Sequence, residues 1–169
     1  MLSEYRWPPE HPAELPALPG YVLSSFSPLV AAAAAGCLAR VGVPDAGRER
    51  TAVLLVSAGN DLVSAEYLHD RVATGRRVGP LLFFQAAPNS VVGQLSAQHG
   101  LGGPVVCISP VGDPLADAMA EAELVLEDGD ADEVLAILVE QAEPVDTASG
   151  RQALPDRAHA LLLSRNPLP

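Results

Sequence analysis

The chain has 169 residues, an apolar fraction of 49% and a positive mean hydropathy, enough for one well-buried core. Its formal charge is −11 and its ten cations are all arginines, so no basic stripe is available to hold nucleic acid or an anionic membrane surface. The first twenty residues mix Glu4, Glu10 and Glu14 with prolines, unlike a secretion signal, and the longest apolar run, Leu29 to Ala39, is too short for a bilayer core of about 30 Å, so a soluble cytoplasmic protein is expected.

In chain order, Pro8 to Pro19 carries five prolines without hydrophobic periodicity, which assigns residues 1–20 to an extended arm. Tyr21 to Phe26 reads as a first short strand. Pro28 then opens an alanine-rich helix, Leu29 to Val41, closed by Gly42 and Pro44. Thr51 to Ser57 is a continuous apolar run of the kind found in a strand covered on both faces. Asp61 to Thr74 has the spacing of an amphipathic helix, with Leu62, Ala65, Leu68 and Val72 on one side. After Arg76 and Arg77, the stretch Gly79 to Pro88 leads into a helix from Val91 to His99, with Asn89 or Ser90 as its cap and Gly100 at its end. Gly102-Gly103-Pro104 introduces a short strand, Val105 to Ser109. A turn, Pro110 to Pro114, and a helix, Leu115 to Leu126, follow, then a buried strand from Glu133 to Val139. A polar, proline-containing stretch from Glu143 to Pro155 precedes a closing strand, Ala158 to Ser164, and residues 166–169 form a tail. Strands separated by helical crossovers predict an α/β fold with about five mostly parallel strands and helices on both faces.

The order Pro80, Pro88-Asn89-Ser90, Gly93-Gln94, His99 to Pro104 and Ile108-Ser109 resembles the segment of β-ketoacyl synthases and polyketide ketosynthases that leads into their nucleophilic cysteine. Gly129 to Glu140 is similar to the strand after the nucleophile helix, and Ala158 to Ser164 to the strand that closes the first half of that fold. The likeness spans roughly 21–165, is dense from 80 to 140, and fits best the short, stand-alone ketosynthase-like amino-terminal domains. It implies half of a thiolase-like fold. It also implies a dimer in which the strand before the nucleophile, here Val105, Val106, Cys107, Ile108 and Ser109, pairs with its counterpart across a twofold axis, with the helix beginning at Asn89 and Ser90 beside it. An edge with no lysine, charge or internal proline needs such a partner.

The departures from the family set the expected function. The resemblance places the nucleophile three residues after Ser109, which here is Gly112, and glycine has no side chain to acylate. Asp113 next to it does not substitute, because a carboxylate would give a mixed anhydride. The family's catalytic histidines belong to a second half for which the chain is too short. Asp113, Asp117 and Glu121 recur at i+4 and mark a polar face, which reads as a helix exposed by the missing half or one facing a polar partner.

Other conspicuous residues have plainer explanations. Cys37 and Cys107 read as small buried hydrophobes, and Cys107 lies within the strand instead of at the turn. His99 can interact with a helix dipole, worth a few tenths of a kcal/mol. His69 and His159 lack partners at i+3 or i+4, and His11 lies in the arm. Asp128, Asp130 and Asp132 lack the rest of a calcium loop and read as a solvated turn. Arg76 and Arg77 are a solvated boundary or a contact for an acidic acyl carrier protein. No cofactor or metal is expected. The function that results is a non-catalytic ketosynthase-like subunit associating with a catalytic ketosynthase and chain-length-factor system, in polyketide or fatty-acid biosynthesis. An acyl- or carrier-binding homodimer, or an enzyme isomerising or cyclising a bound chain through His99 or an acid, stays open.

Overall fold

A computed structural model describes residues 1–10, 13–41, 48–141, 144–147, 150–153 and 155–165. Its elements are β1 (Ser3–Trp7), α1 (Phe26–Ala39), β2 (Thr51–Val56), α2 (Leu62–Ala73), α3 (Pro80–Gln85), α4 (Pro88–His99), β3 (Val105–Ile108), α5 (Pro114–Glu127), β4 (Glu133–Glu140), β5 (Pro144–Thr147), β6 (Gly150–Ala153) and β7 (Arg157–Ser164). Five strands form one sheet in the order β1-β7-β4-β2-β3, and β5 and β6 form a separate hairpin. Only β7 runs against its neighbours, so the sheet is mostly parallel.

Burial explains the order. Every residue of β2 is buried, as an uninterrupted apolar strand requires, and it lies between β3 and β4. Val53 and Leu55 face α1 and α4, in a core with Leu29, Val30, Ala33, Val91, Leu95, Leu135 and Ile137. Ala52, Leu54 and Val56 face α5, whose Ala118, Ala122 and Val125 are its buried contacts. The crossover from β2 to β3 therefore covers one face of the sheet, and the crossover from β3 back to β4 covers the other.

The sheet's fifth strand is not the expected Tyr21 to Phe26. Residues 3–7, grouped by sequence with the arm, pair with β7 instead: Tyr5 lies opposite Ala160 and Trp7 opposite Ala158. The Tyr5 ring packs on α1 at Gly36, where a Cβ would come within 2.7 Å of it. Ser3 Oγ donates to the Cys37 carbonyl at 2.6 Å. With that edge taken, residues 21–25 keep only an isolated bridge between Leu18 and Tyr21, and α1 starts at buried Phe26, three residues early. Residues 42–47, where Gly42 and Pro44 were expected to close this helix, and the tail at 166–169 lie outside the described residues.

Two helix readings also change. α4 begins at Pro88, with Ala87 as N-cap and the proline at N1, so Asn89 and Ser90 sit inside the first turn and neither caps it. The apolar side of α2 does not face the core. Among the described residues of that helix only Ser64 is buried, while Leu62, Val63 and Val72 are exposed. No helix among the described residues is long and apolar enough to cross a membrane.

Candidate functional site

The region matching the nucleophile segment is held by backbone contact. Gly103 N–H donates to the Thr51 carbonyl at 3.0 Å and Val53 N–H to the Pro104 carbonyl at 2.9 Å, so the glycine pair lies directly against residues 49–52. A Cβ on Gly103 would stand 2.6 Å from the Ala52 nitrogen, and one on Gly102 would stand 2.6 Å from the Glu49 carbonyl oxygen. Only glycine permits this approach, which sets the register in which Val105 opposes Val53 and Ile108 opposes Val56.

β3 is one of the sheet's two edge strands, β1 being the other. Val53 donates to Pro104 and Ser57 to Ile108, so the even-numbered residues of β3 face β2. The N–H and C=O of Val105 and Cys107 are then directed to the open edge, as the parallel pattern requires. Among the described residues no strand pairs there. Val105 is 45% exposed. Cys107, expected to be buried, is exposed as well. Partial burial raises the Cys107 thiol above its ordinary pKa, the opposite of an activated nucleophile. Cys37 is buried as expected, and burial raises its thiol too.

Beyond β3 the chain turns through Ser109 to Asp113 into α5. Asn60, in the left-handed conformation at φ 54°, spans the ends of β2 and β3: its N–H donates to Ser57 Oγ at 3.0 Å and its side-chain amide lies 3.5 Å from Ser109 Oγ. Gly112 is exposed and needs no positive φ, and a Cβ there would meet nothing nearer than Asp117 Oδ1 at 3.9 Å. Asp113 is the N-cap of α5, accepting from Ala116 N–H at 2.8 Å. Asp117 turns back to accept from Val111 N–H at 2.8 Å and Gly112 N–H at 3.0 Å. These backbone donors, Gly112 first, hold the Asp117 carboxyl below its ordinary value.

The outer face of α5 is not the polar face expected from sequence. Asp113 and Asp117 serve the turn, and Asp117 and Glu121 are half-buried on the flank. Facing outward are Leu115 at 39% exposure, Met119 at 42% and Leu124 at 55%. A groove of about 650 Å³ runs between this helix and the end of β7, lined in part by Met1, Met119, Leu126 and Leu163.

The remaining residues are dispersed. Ser90 is buried and accepts from the Tyr21 hydroxyl at 3.2 Å, so it fastens the connection before α1 and is not available to a partner, whereas Asn89 is exposed. Arg76 and Arg77 are exposed at the end of α2, and the Arg77 carbonyl accepts from Arg71 at 2.7 Å. Close by in sequence, α3 exposes Leu81, Phe83 and Phe84, which sequence periodicity missed because six residues are too few to show a face. His99 ends α4 in its last turn, ahead of a left-handed Gly100. His159 reaches Glu4 at 2.8 Å, a partner 155 residues away that no local spacing reveals. His69 is exposed, and His11 lies outside the described residues. Asp132 pairs with Arg50 at 2.9 Å, and Asp128 is the C-cap of α5. Among the described residues no three His, Cys, Asp or Glu side chains are grouped to hold a metal.

A mostly parallel sheet in which an edge strand runs through a turn into a helix that crosses back under the sheet bears out the expected α/β fold. The chain belongs to the family described as β-ketoacyl synthase, N-terminal domain, whose pattern matches residues 4–167. Similar solved structures include a ketosynthase (ApeO) in complex with its chain length factor (ApeC) from Xenorhabdus doucetiae, at 21% identity and TM-score 0.70, covering 93% of this chain and 66% of that one. A β-ketoacyl synthase from Burkholderia phymatum is similar at 17% identity and TM-score 0.69, covering 90% and 45%. A type II polyketide synthase acyl carrier protein in complex with its ketosynthase, AntDE:AntF, is similar at 19% identity and TM-score 0.62, covering 85% and 45%. The chain thus spans just under two thirds of the first and less than half of the other two. No curated protein matches it significantly.

Proposed function

We propose that this chain is a ketosynthase-like subunit without condensation chemistry of its own, which assembles with a ketosynthase-family partner or with a second copy of itself in polyketide or fatty-acid biosynthesis. The observation that carries this reading is the open β3 edge ending at a turn where the nucleophile position, 112, is glycine. The edge offers the main-chain groups of Val105 and Cys107 to another strand, and exposed Asn89 at the start of α4 belongs to the same surface. Leu115, Met119 and Leu124 on α5 add an apolar area that an assembly would cover. Exposed Arg76 and Arg77, a few residues before exposed Phe83 and Phe84 in the chain, are the surface for an acidic acyl carrier protein.

The test is acyl loading. Incubated with acyl- and malonyl-carrier substrates, the purified chain gains no mass and releases no carbon dioxide above the no-enzyme rate, while a tagged copy expressed in its native host brings down a ketosynthase-family protein or itself. Acylation of the chain, or decarboxylation that survives extensive purification, would contradict the non-catalytic assignment.

A further inference from the structure

The turn at 109–113 carries a feature that loss of the thiol does not explain. A cysteine-to-glycine change alone would leave the backbone amides at this turn, and the positive end of α5, free to stabilise an anion. Here they are taken from within. Asp113 accepts from Ala116, and Asp117, one turn further along the helix, accepts from both Val111 and Gly112.

We propose that Asp117 is an internal plug of the position matched to the nucleophile: its carboxylate occupies the Val111 and Gly112 amides, so that neither is free for an anion at this turn, and its charge makes position 112 hostile to an acyl oxygen or a thiolate. This rests on the match of Gly112 to the nucleophile position and adds a second, independent block to it. The geometry is specific to Oδ2, which receives both bonds, while Oδ1 lies 3.9 Å from where a side chain on residue 112 would begin. The lowered pKa of Asp117 follows from the same two amides, so the plug is ionised and in place at neutral pH. Asp117 is a positioning residue. It sits on α5 where a side chain pointing to solvent would serve helix solubility equally well, yet it folds back over the turn.

Amide exchange and thiol reactivity test this together. In Asp117→Ala the amides of Val111 and Gly112 exchange at least about tenfold faster than in the unmodified chain, while those of buried β2 are unchanged. In a Gly112→Cys background, Asp117→Asn raises the rate of alkylation by iodoacetamide at fixed neutral pH about tenfold, as removal of a nearby negative charge lowers a thiol pKa. A residue that only stabilised the helix would shift the melting temperature and leave alkylation unmoved. Unchanged exchange at 111 and 112 in Asp117→Ala overturns the proposal, and so does faster exchange without faster alkylation. Should the Gly112→Cys chain fail to fold, the exchange measurement stands without it. Acylation of the unmodified chain would sink the functional reading above and leave the occupancy of these amides untouched.

Discussion

The sheet face under α1 and α4 and the face under α5 are built from the same strands, yet they are closed to different degrees. On the first, two helices and the residues before α1 cover β7, β4 and β2, and Leu29, Val30, Val91, Leu95, Leu135 and Ile137 have almost no exposure. On the second, one helix is seated through two alanines and a valine, and its outward residues include Leu115, Met119 and Leu124. The two edge strands differ in the same way: β1 is tied to α1 by Ser3, by Tyr5 against Gly36 and by Arg40 donating to the Glu4 carbonyl, whereas β3 leaves Val105 and Cys107 exposed. A small helix contact and an apolar outer surface are what a layer requires when a further layer packs on it. The closed face carries most of the buried core, and the second face and the β3 edge are the surfaces on which the proposed assembly would form.

Truncation breaks this comparison most sharply. Leu135→Ala, in the closed core, is expected to cost about 2–5 kcal/mol in urea unfolding, whereas Leu124→Ala on the open face costs the isolated chain under about 1 kcal/mol. Equal costs would mean that α5 is covered in solution by something the isolated chain supplies. Gly103→Ala, next in size, is expected to destabilise by about 2 kcal/mol, because the added methyl meets backbone that cannot rotate away; a thermal melt within a degree of the parent would show that the strand entry can shift. Cys107→Lys should change folding stability by only about 0.5 kcal/mol yet remove assembly, while Asp130→Lys in an exposed turn removes nothing; the sedimentation coefficients of the two variants separate these outcomes. The smallest effect is a pH effect. Asp117 has a depressed pKa in the folded chain, so its contribution is present above the ordinary carboxylate pKa and is lost as pH falls through the lower, folded value. Protection of the Val111 and Gly112 amides should therefore persist from neutral pH to about pH 4 and disappear only below it. Glu4, held down by Arg6 and then His159, should behave alike at the opposite edge.

The parts of the fold legible in the sequence were those whose signal is local. Thr51 to Val56 and Glu133 to Val139 are apolar runs that only a covered strand explains, and Asp61, Thr74 and Gly100 stand at the helix ends where the sequence bounded those helices. Where the deciding contact is distant, the reading failed. β1 is a strand because β7, over 150 residues later, offers an edge, and the prolines that follow Trp7 made residues 1–20 read as one extended arm. The spacing of α2 is amphipathic, but periodicity cannot say whether the apolar side meets its own core or another molecule. The glycine pair and the order of motifs placed β3 and the turn after it, which the structure has where they were expected. The chemistry of the turn was not legible, because Asp117 reads as one of three carboxylates on a helix until its two backbone donors are seen.

The most direct test of the central claim is hydrogen exchange at Val105 and Cys107, measured on the chain as purified from its native host and sedimented at micromolar concentration. Those two amides point away from β2, so protection requires a strand supplied by another subunit. The account predicts an assembly larger than a monomer, with itself or with a ketosynthase-family protein, in which both amides are protected. A monomer in which both exchange at unprotected rates, while Val106 and Ile108 remain protected by β2, would contradict it.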